Sequence, residues 1–160
     1  MFRWGYSISM KILFLGDIVG RSGRTALTKN LPGLIGRWGL DFVVANAENA
    51  TSGIGLSIEH ANDILSNGVD CITLGDHSFD QREMIQYIEQ EPRIIRPINF
   101  AKTAPGNGHG IFLTKSGKKV AVLQVLGQVF MKKIFSNPFE SIDKVLSKLS
   151  MTNNCDAILV

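Results

Sequence analysis

Apolar runs alternate with amphipathic segments along most of the chain. Three apolar runs, KILFLGD, LDFVVANAEN and VDCITLGDH, occupy residues 11–17, 40–49 and 69–77. The segments between them, 22–39 and 57–68, carry apolar residues at roughly helical spacing. Strand–helix–strand units of this kind predict a largely parallel sheet covered by helices. The unbroken apolar runs agree, because parallel strands are buried on both faces.

Several polar residues predict where the helices begin and end. Pro32 interrupts the first helical segment, so we expect a bend or break there. Ser57 is a candidate N-cap of the second helix. For a third helix over residues 80–90, Asp80 is the candidate N-cap, and Glu83 stands three residues later, which is a capping-box pattern.

The pattern changes in the second half of the chain. Residues 110–127 predict two strands joined around Ser116–Gly117 as a hairpin. A fourth helix follows, with Asn137 as N-cap and Pro138 at the first helical position. A last apolar run occupies residues 155–160. The whole pattern predicts a single α/β domain.

Composition and charge exclude several classes of protein. The chain has 160 residues, 44% of them hydrophobic and 19% charged, which is typical of one globular domain. The net charge of +3 fits an anionic ligand, but without a dense Lys/Arg block stable nucleic-acid binding is not indicated. Cys71 and Cys155 lie in apolar runs outside any CxxC pair, so we expect buried, reduced thiols.

Neither a membrane span nor an export signal is predicted. No apolar run approaches the roughly 20 residues that a spanning helix needs. The apolar segment near the start is shorter than the ~7–15 residues of a signal peptide, and Asp17 ends it. We therefore expect a cytoplasmic protein. Residues 1–9 precede a second methionine, Met10, and are expected to form a disordered extension outside the domain.

Polar side chains end each of the first three predicted strands. These are Asp17, then Glu48 and Asn49, then Asp76 and His77 within TLGDHSFDQRE. Their spacing of about 30 residues matches one βαβ unit. Because parallel strands point the same way, all five side chains should lie at the carboxyl edge of the sheet, where open α/β sheets bind ligands.

Gathering carboxylates at one edge costs free energy unless a cation compensates their charge. Carboxylate, amide and imidazole donors suit Mn, Fe or Zn. Two metals ~3.5–4 Å apart would activate a water and bind a phosphoryl group, with Glu48 as a candidate bridge. His77 is the candidate general acid that protonates the leaving oxygen.

Two alternatives remain open at this point. Each strand-end residue taken singly could be an ordinary solvated loop residue. The second alternative is a dinucleotide site, with Gly16, Gly20 and Gly23 near a pyrophosphate and Glu48 on a ribose. The glycine spacing is not GxGxxG, and the charge of Asp17 opposes a pyrophosphate in that turn.

The remaining basic and histidine residues point less clearly to a site. The glycines after the first strand are better explained as tight backbone around the site, with Arg21 or Arg24 facing a phosphate. His60 lies within the second helix and is expected at the surface. His109 lies in a glycine-rich stretch and is expected to be exposed to solvent.

The ordered set of motifs resembles a known family. MKILFLGDIVGRSGR, NAENATSGIGL, GVDCITLGDHSFDQRE and NPFESIDK are similar to segments of the bacterial YmdB-type metallophosphoesterases. The resemblance covers residues 10–160. It implies a calcineurin-like α/β sandwich and hydrolysis of phosphodiesters, including 2′,3′-cyclic nucleotides, as small-molecule substrates.

The resemblance also implies a role for each strand-end residue. Asp17 matches the aspartate that binds the first metal, Glu48 the bridging glutamate, and Asn49 an amide that also touches the first metal. Asp76 matches a ligand of the second metal, and His77 matches the proton donor. Iron is the usual metal of the family, and manganese is the alternative.

The chain departs from the family in two ways. Asp76 stands where the family usually has asparagine, and its added charge should tighten metal binding but repel a phosphate. The family also continues beyond the point where this chain ends, and its other metal ligands are histidines in that second half. His60 and His109 do not match them.

These departures predict that residues 10–160 are the N-terminal part of one truncated domain. We expect little activity from this chain alone. It could act with a separately encoded C-terminal half, or it could be a non-catalytic interaction module that self-associates.

Overall fold

A computed structural model describes residues 10–131, 135–151 and 153–160 of the chain, so the extension expected at residues 1–9 lies outside the described residues. The described residues contain seven strands and four helices. The strands are β1 (Ile12–Leu15), β2 (Phe42–Asn46), β3 (Cys71–Thr73), β4 (Ile94–Ile95), β5 (His109–Leu113), β6 (Lys119–Leu123) and β7 (Ala157–Leu159). The helices are α1 (Gly20–Trp38), α2 (Ile58–Ser66), α3 (Met84–Tyr87) and α4 (Pro138–Leu146).

The first sheet is parallel, as the sequence predicts. Its strand order is β1-β2-β3-β4, and every neighbouring pair runs in the same direction. One face of the sheet is covered by α1 and α2. Leu31 of α1 and Ile64 of α2 are buried in one cluster with Val43, Ala45 and Ile72 of the strands.

The second sheet contains the predicted hairpin. β5 and β6 pair antiparallel, and Gly117 in the turn between them has φ +79°, a conformation that glycine adopts readily. The last apolar run forms β7, which pairs parallel to β6.

The two sheets pack face to face. Phe42 and Val44 of the first sheet share a buried cluster with Val120 and Val122 of the second, and the rings of Phe42 and Phe112 lie 5.7 Å apart. On the far side of the second sheet, Val145 and Leu146 of α4 pack against Ala121 and Leu123. The described chain is therefore an α/β/β/α sandwich, in agreement with the predicted α/β class. Cys71 and Cys155 are buried and free, as expected.

The structure contradicts a break in the first helix and the predicted start of the third. The first helix does not break at Pro32, because α1 continues over 19 residues. Leu27 and Leu31 are buried against the sheet immediately before the proline. This packing outweighs the one backbone hydrogen bond that proline removes.

The third helix is also shorter than predicted, and the capping box at its start does not form. α3 begins after Glu83, whose side chain makes no cap bond within α3. Instead, Oε1 of Glu83 accepts a hydrogen bond (2.7 Å) from the backbone N–H of Ile58 at the start of α2. Ser57 caps the same helix, as predicted, by accepting from the N–H of His60.

The N-cap of α4 is confirmed. The Asn137 side chain accepts from the backbone N–H groups of Phe139 and Glu140, and Pro138 occupies the first helical position. No helix in the described part of the chain is long and apolar enough to cross a membrane.

Candidate metal centre

The loops that follow β1, β2 and β3 meet at one edge of the parallel sheet. Backbone hydrogen bonds continue the strand pairing into these loops, from Ile18 N–H to Asn46 O (2.9 Å) and from Ala47 N–H to Thr73 O (3.1 Å). The strand-end residues of all three loops are therefore held side by side by the main chain. The predicted convergence at the carboxyl edge is what the structure shows.

The first contact at this edge joins the loops after β1 and β2. Nδ2 of Asn49 donates to both carboxylate oxygens of Asp17, at 3.1 and 2.9 Å. The backbone carbonyl of Asn49 accepts from the N–H of Gly20, at 2.9 Å. Asp17 and Asn49, predicted as ligands of one metal, are thus direct neighbours.

The second group joins the loops after β2 and β3. Ligand atoms of Glu48, Asp76 and His77 all lie within 4.8 Å of one another. The backbone N–H of His77 donates to Oε1 of Glu48 (3.2 Å). The Glu48 carboxylate lies directly over Gly75, where a side chain would have no room. The absence of a side chain at Gly75 therefore lets Glu48 reach the third loop.

Partial burial and the neighbouring acid Asp76 raise the pKa of Glu48 from 4.5 to about 7. Partial burial is the largest cause, because it disfavours the charged carboxylate. A hydrogen bond with Asp76 acts in the same direction, because it favours a proton on one of the two acids. Two carboxyl groups this close are stabilised by a shared proton or by a cation.

His77 is held by an acid that the sequence analysis assigned elsewhere. Its Nδ1 lies 2.5 Å from Oδ2 of Asp80, while its Nε2 lies 3.9 Å from Oδ2 of Asp76. The hydrogen bond with Asp80 raises the pKa of His77, and the charge of Asp76 adds to the effect. The expectation that Asp80 caps a helix is therefore wrong.

A turn brings these two residues together. The backbone N–H of Asp80 donates to the carbonyl of His77 at 3.2 Å, so residues 77–80 fold back on themselves. The spacing of three residues between His77 and Asp80 was the available signal in the sequence. The capping-box pattern competed with it.

The two predicted phosphate-facing arginines lie in a different cleft. Arg21 and Arg24 line a polar cleft of about 350 Å³ between α1 and α2, together with His60. Nη1 of Arg24 donates to the carbonyl of Ala50. None of the five strand-end residues lines this cleft.

Of the other two histidines, His60 is less exposed than expected, and His109 lies in a strand. His60 is not a free surface residue, because its Nδ1 lies 2.8 Å from Oγ1 of Thr51 and it is partly buried. His109 is exposed, as expected, but it belongs to strand β5 and pairs with Leu123 instead of lying in a loop.

The chemistry of the assembled groups fits metal ions. Glu48, Asp76 and His77 offer carboxylate oxygens and an imidazole nitrogen, which is a donor set suited to Mn, Fe or Zn. Asp17 and Asn49 extend the same edge by one carboxylate and one amide, and Glu48 adjoins Asn49 in sequence. The five residues form two small groups that share the loop after β2.

Comparisons with known proteins show which proteins this chain is similar to. The chain is 33% identical over 139 residues, 87% of its length, to a 2′,3′-cyclic-nucleotide 2′-phosphodiesterase of Bacillus subtilis. It superimposes with a TM-score of 0.84 on a hypothetical protein of Thermus thermophilus, at 32% identity and over 93% of this chain. A crystal structure described as a novel phosphatase, from Mycoplasma pneumoniae, gives a TM-score of 0.83 at 32% identity over 95% of this chain.

The chain spans about half the length of these relatives. It covers 52% of the Bacillus protein, 56% of the Thermus structure and 54% of the Mycoplasma structure. The family model for YmdB-like proteins matches residues 13–160 of this chain. This chain therefore belongs to the YmdB-like protein family.

Proposed function

We propose that this chain is the N-terminal part of a metal-dependent phosphodiesterase with a calcineurin-like fold. One observation carries the proposal: Glu48, Asp76 and His77 converge within 4.8 Å at the carboxyl edge of the parallel sheet. The relative from Bacillus subtilis, a 2′,3′-cyclic-nucleotide 2′-phosphodiesterase, suggests the substrate class. Cyclic nucleotides or other small phosphodiesters are the proposed substrates.

Four of the five strand-end residues have proposed roles in binding two metals. Asp17 and Asn49 would hold the first, because they already contact each other at 2.9 Å. Asp76 would hold the second. Glu48 would bridge them, because it adjoins Asn49 in sequence and shares a hydrogen bond with Asp76. Iron is the proposed metal, with manganese as the alternative.

When bound, two such metals would supply Lewis-acid activation of a water and neutralise phosphate charge. His77 would act as the general acid. As water attacks phosphorus and the bond to the leaving oxygen breaks, the leaving oxygen takes a proton from the His77 ring. The hydrogen bond with Asp80 raises the pKa of His77, which favours the protonated ring that this step needs.

The remaining metal ligands are expected to lie in a part of the domain that this chain does not contain. The chain covers 52% of the Bacillus relative. The site described above uses five residues, all from the loops after the first three strands of this chain. We expect this chain alone to bind metal weakly and to turn over little substrate. A C-terminal half supplied separately would complete the site.

Metal titration of the purified chain tests the ligand set. We expect Mn²⁺ or Fe²⁺ to bind with measurable heat and to raise the melting temperature, and a chelator to reverse both effects. Asp17→Ala and Glu48→Ala should each weaken binding by about tenfold or more, because each removes one ligand and its charge. Asp143→Ala, at an exposed acid of α4, is the matched control.

The activity test uses 2′,3′-cyclic AMP and bis(p-nitrophenyl) phosphate. It compares the chain alone with the chain mixed with the C-terminal half of the Bacillus relative. Metal-dependent hydrolysis that appears with the added half supports the proposal. Metal binding that is equal in the wild type and in both ligand variants would refute the proposed site.

Non-catalytic self-association is a second candidate function. It is favoured by the exposed apolar side chains of β5, Ile111 at 45% and Leu113 at 70% exposure. Among the described residues β5 pairs with β6 on one side only, and unpaired edges of this kind recruit other strands. Sedimentation velocity tests this candidate function. A protein that stays monomeric at all concentrations excludes self-association, and Leu113→Lys should dissociate any dimer formed through this edge.

A further inference from the structure

The two nitrogens of the His77 ring face different acids. Nδ1 lies 2.5 Å from Oδ2 of Asp80, which is a short hydrogen bond. Nε2 lies 3.9 Å from Oδ2 of Asp76, on the side of the three-residue cluster with Glu48. One nitrogen is therefore engaged, and the other is directed toward the candidate metal centre.

Closing the turn does not require the Asp80 side chain. The backbone closes it twice, through Ser78 N–H to Gly75 O and Asp80 N–H to His77 O, both at 3.2 Å. A helix-capping role is also absent, because α3 begins four residues after Asp80. The Asp80 carboxylate instead contacts the His77 ring, with Oδ2 2.5 Å from Nδ1.

We infer that Asp80 is a positioning residue. Its carboxylate accepts a hydrogen bond from Nδ1–H of His77, and this orients Nε2 toward the carboxyl edge of the sheet, where the substrate would bind. The role in catalysis rests on the proposed phosphodiesterase function. The orientation of the ring can be measured without any catalysis.

The consequence for proton transfer follows from the tautomer. The protonated ring carries one proton on each nitrogen. When the new oxygen–phosphorus bond forms and the old one breaks, the Nε2 proton moves to the leaving oxygen. The neutral ring keeps its Nδ1 proton, which Asp80 continues to accept in a hydrogen bond. Without Asp80 the ring could rotate or retain its proton on the other nitrogen.

The experiment measures the tautomer of His77 in the purified chain. Nitrogen-15 NMR at alkaline pH, where the ring is neutral, distinguishes the Nδ1–H from the Nε2–H form. We expect the Nδ1–H form in the wild type and a shift toward Nε2–H, the form that free imidazole side chains favour, in Asp80→Ala. Asp80→Asn keeps an acceptor oxygen without the charge and should fall between the two.

Asp63→Ala is the matched control, because Asp63 is an exposed acid of α2 whose carboxylate accepts a hydrogen bond from Nδ2 of Asn67. It should leave the His77 signals unchanged. Circular dichroism confirms that each variant is folded. If the His77 tautomer in folded Asp80→Ala equals that of the wild type, the inference is wrong.

A kinetic measurement separates this inference from the proposed function. In the enzyme completed with a C-terminal half, Asp80→Ala should lower kcat by about 10- to 100-fold with little change in KM. A shifted tautomer with unchanged kcat would overturn the positioning role. Absence of hydrolysis by the completed wild type would instead refute the proposed function, and the tautomer comparison would still decide the orientation.

Discussion

The Glu48 carboxylate occupies the space where a side chain at Gly75 would be. A Cβ built on Gly75 would lie 1.7 Å from Oε2 of Glu48, closer than any non-bonded atoms can approach. Glycine at this position is therefore a condition for the Glu48–Asp76–His77 cluster. Gly75 connects the end of β3 to that cluster.

Gly75→Ala should consequently displace Glu48 and weaken metal binding, with the fold retained. The backbone of Gly75 is not in the left-handed region, so the penalty comes from the Glu48 contact alone. Isothermal titration with Mn²⁺ measures the loss, which we expect to be about tenfold or more. Gly36→Ala, in α1, is the matched control, because a Cβ there meets nothing within 4 Å. Equal affinity in both variants would contradict the prediction.

Stability of the metal-free chain should depend on the protonation of Glu48. Its pKa is about 7 in the folded chain, against an ordinary value of 4.5. The folded state therefore holds a proton that the unfolded state releases, so this contribution to stability is full below pH 4.5 and is lost as the pH rises through 7. Urea unfolding across this range measures the decline.

Glu48→Gln should flatten that decline, because glutamine does not titrate. Glu140→Gln, at an exposed glutamate of α4, should leave the slope unchanged and serves as control. An identical pH dependence of the free energy of unfolding in Glu48→Gln and in the wild type would rule out this account.

Asp76→Asn should shift metal binding to lower pH. The hydrogen bond and charge of Asp76 both raise the pKa of Glu48, and asparagine removes the charge. Because a metal binds the deprotonated carboxylate, the pH of half-maximal Mn²⁺ binding should fall. The affinity at high pH should also fall, since one anionic ligand becomes neutral. Asp143→Asn is the control, and an unchanged midpoint in Asp76→Asn would count against the coupling.

Arg96→Lys should destabilise the loop after β4. The buried guanidinium donates to three backbone carbonyls, those of Pro97 (2.8 Å), Ala104 (3.0 Å) and Pro105 (3.0 Å). A single ammonium group cannot reach all three, and each buried carbonyl left without a partner costs about 1–3 kcal/mol. We expect a loss of about 2 kcal/mol in the free energy of unfolding.

Arg93→Lys provides the comparison for Arg96. Arg93 is partly exposed and pairs with Glu91 at 2.6 Å, and exposed ion pairs contribute about 0–1 kcal/mol. Chemical denaturation of both variants measures the difference. Equal destabilisation would mean that the three carbonyls are satisfied by water in Arg96→Lys.

Local patterns in the sequence were sufficient for the order and direction of three strands of the first sheet and for two helix starts. Continuous apolar runs predicted β1, β2 and β3 as buried parallel strands, and their pairing is as expected. The burial is confirmed for β2 and β3 but is wrong for β1, which is the edge strand and has no fully buried residue. Ser57 and Asn137 cap their helices because an N-cap bond reaches only two or three residues along the chain. Interactions of this short range depend only on neighbouring residues, so they can be predicted from the sequence.

Two predictions from local patterns are wrong because contacts between distant segments decide the structure there. Pro32 predicted a break, but burial of Leu27 and Leu31 against the sheet keeps α1 continuous. Glu83 matched a local capping box, yet its carboxylate binds the N–H of Ile58, 25 residues away. In each case a tertiary contact outweighed a weak local preference.

The sequence by itself determined that Asp17, Glu48 and Asp76 lie at one edge of the sheet. Asp17, Glu48 and Asp76 end consecutive parallel strands, and parallel strands necessarily deliver their carboxyl ends to one edge. Only the tertiary structure decided how those groups are arranged and charged. The short bond from His77 to Asp80 and the raised pKa of Glu48 depend on distances of a few ångströms and on burial. Such distances arise from the packing of three loops together, which no single stretch of the sequence specifies.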